Sequence, residues 1–191
     1  MNPDQDHNAP SYPIMSVNAA DIRQMSKLAA DSERHRHMAL CKSTCKDSHV
    51  VQTMFNAMRP EAYIRPHRHR DIESRIRYIV LHGTIAVVMF DENGLIIWAD
   101  KFSSGDRFLA DIPGCVYHTV ISLDPDAVIY MIKPGPFGGS GDKIWPDWAP
   151  EELEKDKANQ YLVSLKSKLA PLIENEIPIR SDANILKNIS I

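Results

Sequence analysis

The segment Arg65-Pro-His-Arg-His-Arg-Asp-Ile-Glu73 packs His67, His69 and Glu73 into seven positions and leads into an apolar run that stops at Gly83. On a β-strand, residues two apart share a face, so His67 and His69 point the same way. Two imidazoles with a carboxylate just past the strand end make three corners of a divalent metal site. A fourth corner is His118, inside Ile112-Pro-Gly-Cys-Val-Tyr-His-Thr119. Such a donor set suits one divalent transition metal and does not select among zinc, iron, nickel, cobalt and manganese. It also leaves coordination positions open, as a site for water or substrate requires.

The same alternation turns Arg65 and Tyr63 to the histidine face. An inward arginine keeps its charge and is costly to bury alone. It therefore expects either an acid, such as Asp71 or Glu73, or an anionic ligand beside the metal. Arg65, Tyr63 and Lys133 are the candidate substrate-binding residues, with Arg68, Arg70, Arg75 and Arg77 on a solvated face or against a partner chain. The catalytic group is unknown, with Tyr78 and Tyr117 as candidates and His82 as a further acid/base or outer-shell group. A second His-x-His, His35 and His37, is read as structural, because helical neighbours two apart do not face each other. Cys41 and Cys45 are read as ordinary thiols.

The elements that must position these groups follow from periodicity. Asn18 and Asp21 resemble a helix start, and Ile22, Met25, Leu28 and Ala29 recur at helical spacing over 19–31. Strands are expected over 50–56, 62–69, 74–81, 84–90, 95–99, 107–110, 116–122 and 127–133. Asp91-Glu-Asn-Gly94 carries the Asn-Gly signal of a tight hairpin. Ser104-Gly105-Asp106, Pro113-Gly114 and Asp124-Pro125-Asp126 supply further turns. Many short strands between turn residues predict an all-β core. Beyond the glycine-rich 134–141 loop, Trp145 and Trp148 are expected to cover apolar surface. Pro150-Glu-Glu152 predicts the first turn of a helix running to about 169 and ending at Pro171. The expected organisation is an N-terminal arm and helix over 1–48, a β-barrel over 49–136, and a C-terminal loop, helix and tail over 137–191.

At 191 residues the chain can bury a sizeable core. A net charge of −3 argues against general nucleic-acid binding. No run approaches the ~18 apolar residues of a membrane helix, and the polar start predicts no secretory signal. Three cysteines, an odd and low count, fit a reducing, cytoplasmic setting.

His67-x-His69 with Glu73 and Gly83, followed by Pro113-Gly114 and His118, resembles the two motifs of the cupin superfamily. Those motifs read His-x-His, three or four residues, Glu, six residues, Gly; then Pro-x-Gly, two residues, His. More narrowly, Val51-Gln-Thr-Met-Phe-Asn-Ala-Met58, Tyr63-Ile-Arg-Pro-His-Arg-His69, Lys133-Pro-Gly-Pro136 and Trp148-Ala-Pro150 are similar, in the same order, to the WbuC family of cupin-fold metalloproteins. The resemblance spans roughly residues 20–150. It implies a double-stranded β-helix, or jelly-roll barrel, with a central metal, to which the periodicity adds an N-terminal helix and a C-terminal helical extension.

Two spacings depart from the pattern. Nine residues, not six, separate Glu73 from Gly83, and three, not two, separate Gly114 from His118. A β-bulge absorbing the excess keeps Glu73 as a ligand. Counting back from Gly83 instead puts Ile76 at the carboxylate position.

WbuC proteins are associated with surface-polysaccharide (O-antigen) gene clusters. The implied function is a metal cupin acting on or binding a small sugar-derived or anionic metabolite. An iron-dependent dioxygenase and a non-catalytic binding or assembly module are the alternatives. Exposed strands and terminal segments make a homodimer the expected assembly.

Overall fold

A computed structural model of the chain describes residues 16–40, 50–70, 73–135, 143–175 and 177–180. Helix α1 (Ala19–Ala30) opens on a capping box: Asn18 Oδ1 accepts from Ala20 N at 2.7 Å, and Asp21 Oδ2 accepts from Asn18 N at 2.8 Å. Among the described residues the strands are β1 (Arg36–Leu40), β2 (Val51–Met58), β3 (Arg68–His69), β4 (Arg75–His82), β5 (Thr84–Phe90), β6 (Ile96–Ser103), β7 (Leu109–Pro113), β8 (Tyr117–Ser122), β9 (Ala127–Pro134), β10 (Lys143–Ile144) and β11 (Ile179–Arg180). Helices α2 (Lys155–Lys168) and α3 (Ala170–Asn175) precede β11.

One antiparallel sheet has the order β1-β2-β9-β4-β7 and the other β11-β6-β5-β8, and β10 pairs with β3 in a short two-stranded ribbon. Period-two alternation sorts the side chains into layers. Tyr78, Val80 and Ile129 of the first sheet meet Ile85, Val87, Met89, Ile97 and Val120 of the second in the central core. The reverse face of the first sheet packs Phe55, Ala57 and Val128 on Met25 and Ala29 of α1. The reverse face of the second packs Ala86, Val88, Phe90 and Ile121 on Leu162, Leu165, Leu169 and Leu172 of α2 and α3. β5 is thus covered on both sides, which is why Thr84–Phe90 reads as an unbroken apolar run rather than an alternating one. The result is the cupin-type jelly roll, with helices at both ends of the chain.

Several elements differ from expectation. The expected 62–69 strand pairs only at Arg68–His69 and at a single His67–His118 bridge. Pro66 has no N–H for a ladder, so residues 62–66 run outside the sheets. β1 was not expected; Arg36–Leu40 becomes a strand by pairing along β2. α2 begins at Lys155, because Glu151–Glu154 closes its own turn first (Glu154 N to Glu151 O, 3.0 Å). Pro171 does not end the helical region: it sits in the first turn of α3, where an amide N–H has no helical acceptor anyway. The tail supplies β11, which pairs with β6 through Ile179–Ala99 and Arg180–Trp98. Cys41, Cys45 and most of the glycine-rich loop lie outside the described residues.

Candidate metal centre

Three short hydrogen-bonded joints bring the site together. His67 N donates to His118 O at 3.1 Å and His118 N to His67 O at 2.9 Å, so the two motifs meet as an antiparallel bridge. His69 N donates to Gly114 O at 2.7 Å, and Gly114 N to Ser74 O at 2.6 Å. Gly114 therefore ties β3, the entry to β4 and the turn before β8. A Cβ added there would meet Ser74 O at 2.7 Å, which is why no larger residue fits this turn as built.

His67, His69 and His118 are all buried, and each offers a ligand atom within 4.8 Å of the others. His67 Nδ1 lies 2.9 Å from Arg65 O, and His118 Nδ1 lies 2.8 Å from Val116 O. A carbonyl can only accept, so each Nδ1 carries the proton and donates it, leaving Nε2 a bare lone pair. His118 Nε2 is buried and has no hydrogen-bond partner among the described residues. An orphaned buried acceptor is costly, and a cation between three imidazoles removes that cost. Burial, reinforced by His118 and Lys143, holds His67 well below its ordinary pKa, and burial brings His118 down to about 4. Both are therefore neutral at pH 7, the protonation state a metal needs. The residues present fit a divalent transition ion.

His67 and His69 form part of the wall of a cavity of about 390 Å³, with His118 behind them. Alternate residues of four strands line it: Arg36 and Met38 of β1, Met54, Asn56 and Met58 of β2, Ile76 and Tyr78 of β4, and Ile129, Met131 and Lys133 of β9. Val120 contributes from β8, and Lys143, Trp145 and Glu152 from the segment that follows β9. Trp145 stands 5.2 Å from the His67 ring. Tyr78 is 4% exposed, and its hydroxyl makes no hydrogen bond among the described residues. Burial drives its pKa upward, so it is a protonated donor. Glu152 accepts from Arg36 at 2.7 Å and also from Arg34. Burial pushes the Glu152 carboxyl up, but the two guanidiniums outweigh it and hold the group below its usual range.

The structure separates other candidates from this cluster. Glu73 is exposed in the turn before β4 and does not join the three histidines. β4 does carry a bulge, between Val80 and His82, but it absorbs one residue and leaves the rest of the excess in that turn. Ile76, 1% exposed, lines the cavity where counting back from Gly83 puts the motif's carboxylate. Arg65 gives its guanidinium to Ala149 O (3.0 Å) and Pro146 O (3.2 Å), with Glu151 at 3.7 Å, and is not among the cavity's lining residues. Tyr63 donates to Pro150 O at 2.9 Å. Once Pro66 interrupts the strand, the alternation that turned both toward the histidines no longer holds. Tyr117 precedes His118 on β8, so it points to the opposite face and packs on Trp148. His82 pairs with Asp126 at an exposed position, 3.0 Å away. Arg75 and Arg77 both meet Asp111, and Arg68 lies over the Tyr117 ring.

Sequence reading missed Arg36, Lys143, Trp145 and Glu152. A usable signal existed for Arg36, since Arg34-His-Arg-His37 repeats the alternation of the ligand motif. For the other three, nothing local announces that the segment after β9 returns to the cavity.

The two facing sheets and the three convergent histidines match the jelly-roll arrangement expected from the two histidine motifs. A family model described as a domain of unknown function (DUF6016) matches residues 17–101. No curated protein matches the sequence. Similar solved structures include a mutant of Bacillus subtilis oxalate decarboxylase OxdC (16% identity, TM-score 0.44, 58% of this chain and 27% of that one). Others are the Staphylococcus aureus capsular polysaccharide assembling protein CapF (17%, 0.44, 58% and 32%) and KdgF from Halomonas sp. (16%, 0.40, 53% and 79%). The chain spans about a third or less of the length of the first two. Among the described residues, no helix is long and apolar enough to cross a membrane.

Proposed function

We propose that this protein is a metal-binding cupin that holds one divalent transition ion through His67, His69 and His118 and binds or acts on a small anionic or sugar-derived metabolite. The observation that carries the reading is the buried Nε2 of His118, which has no hydrogen-bond partner among the described residues and lies with the imidazoles of His67 and His69, both on the wall of a cavity. A bound divalent ion supplies Lewis acidity to a coordinated oxygen. The chain's own groups do the rest. The Arg65 and Val116 carbonyls hold His67 and His118 in the tautomer that presents Nε2. Lys133 and Lys143 give the cavity positive charge, and the Tyr78 hydroxyl is a donor within it. The resemblance to the WbuC family supports a role in surface-polysaccharide (O-antigen) biosynthesis. Exposed Phe108 and Leu109 at the β7 edge support a homodimer, and the cysteine count supports a cytoplasmic setting.

A second reading, a non-catalytic binding module, draws on Ile76 at the carboxylate position and on Glu73 lying outside the cluster. Elemental analysis of freshly purified protein tests the first reading. About one equivalent of transition metal per chain is expected, and metal-free protein that melts at the same temperature with or without added zinc, iron or manganese would overturn it.

A further inference from the structure

The wall of the cavity distinguishes a hydroxyl-rich sugar acid from a plainer organic anion. At one level of the first sheet, Met54 pairs with Met131 and Met131 with Tyr78, and all three side chains line the cavity. Ile76 continues this surface along β4 and Ile129 along β9, with Val120 added from β8. The cations stand at the two ends. Arg36 pairs with Met58, and Lys133 pairs with Gln52, six residues back along β2 and so about 20 Å away. Arg36 is engaged by Glu152. Lys143 is the antiparallel partner of His69, and Lys133 lies one residue beyond the Ile132–Arg77 pair, toward the start of β4. Lys133 and Lys143 thus put two ammonium groups at the histidine end of the cavity.

Between the two ends, the polar side chains lining the cavity among the described residues are Asn56 and Tyr78. A sugar acid would bring several hydroxyls into that span, and each one left without a partner costs roughly tenfold in affinity. Methionine thioethers mould to flat or irregular apolar bodies instead.

Resting on the metal-centre reading, we infer that the ligand is an organic carboxylate with an apolar body. Its carboxylate lies at the histidine end near Lys133 and Lys143. Its body lies against Met54, Met131 and Ile129, with at most two polar substituents, met by Tyr78 and Asn56.

The test is calorimetric titration of the full chain, of measured metal content, with benzoate, hexanoate, glucuronate and inorganic phosphate. Benzoate or hexanoate is expected to bind at least tenfold more tightly than glucuronate, which carries the same charge on a hydroxylated body. Met131→Gln should weaken benzoate about tenfold without changing metal content, and Met131→Leu should retain it. Lys143→Gln should weaken every anion that binds. Glucuronate binding as tightly as benzoate, an indifferent Met131→Gln, or failure of all four anions to bind overturns the inference. The two readings fail separately. Metal retained with glucuronate preferred removes this one alone. Benzoate preferred by protein that holds no metal removes the metal centre and leaves the apolar-body assignment standing.

Discussion

Two stretches of this chain alternate histidine with arginine, and they do so in opposite phase. In His67-Arg68-His69 the histidines face the interior and Arg68 lies outside, over Tyr117 and against Glu92. In Arg34-His35-Arg36-His37 it is Arg34 and Arg36 that line the cavity and meet Glu152. His37 points the other way, pairing with Ala57 of the layer under α1, and His35 sits just before β1 with a φ of 53°. A shift of one residue sends every side chain of a strand to its other face. A His-x-His pattern therefore specifies that two imidazoles share a side, not which side. What separates the two stretches is a third imidazole arriving from β8 and a carbonyl holding each Nδ1 of the bridged pair.

The largest effect expected from breaking this contrast is on metal content. His118→Ala removes the one ligand that crosses from the second sheet, and the purified protein should retain under a tenth of the wild-type metal. His35→Ala and His37→Ala should retain all of it. Elemental analysis of the three variants side by side decides the matter, and equal loss in all three would mean that the two motifs do not differ in the way proposed.

Next in size is the tie between the motifs. Gly114→Ala places a Cβ 2.7 Å from Ser74 O and 3.0 Å from Ser74 Cβ, contacts that backbone must move to relieve. The expected destabilisation is about 2–3 kcal/mol. Gly105→Ala, in a turn where a Cβ meets nothing within 4 Å, is the control and should cost under about 0.5 kcal/mol. Thermal or urea unfolding of both variants measures the difference, and metal affinity should fall in Gly114→Ala alone.

How far the sequence disclosed this arrangement depends on how local each cause is. β4 was legible because Ile76, Tyr78 and Val80 alternate with Arg75, Arg77 and Ile79. The hairpin at Asn93-Gly94 was legible because Gly94 needs the left-handed backbone it adopts, φ 81°. The convergence of His67, His69 and His118 followed from two spacings. Tyr63 and Arg65 were misdirected because alternation was carried back through Pro66, where the ladder stops. Tyr117 could have been set aside from sequence alone, since a strand neighbour of an inward His118 must face outward. β1, Lys143, Trp145 and Glu152 were not legible, because their placement depends on partners far away in the chain.

The second motif's arginines give a smaller, pH-dependent effect. Glu152→Ala leaves Arg36 half-sheltered without its carboxylate, at a cost on the order of 1–2 kcal/mol at neutral pH. The Glu152 pKa is lowered on folding from 4.5, so the unfolded chain binds the proton more readily. Its contribution is thus fully present above about pH 4.5 and is lost as pH falls through the lower folded value. The stability gap between wild type and Glu152→Ala should accordingly narrow below pH 4.5. A gap that held constant down to pH 3 would mean that the carboxylate charge contributes nothing.

The smallest effect belongs to the carboxylate that the motif spacing singles out. Glu73→Gln should leave metal content, melting temperature and ligand binding within error of wild type, because Glu73 is exposed and stands apart from the three histidines. The informative partner is Ile76→Glu, which puts a carboxylate on the cavity wall at the position counted back from Gly83. In the metal-free protein a buried carboxylate there has the Lys133 ammonium across from it but is still costly to desolvate, on the order of a few kcal/mol. In the metal-loaded protein the same group gains a second cation to face. Added zinc or manganese should therefore raise the melting temperature of Ile76→Glu more than that of wild type. Equal shifts would place Ile76 out of reach of the ion and return the carboxylate role to the turn that carries Glu73.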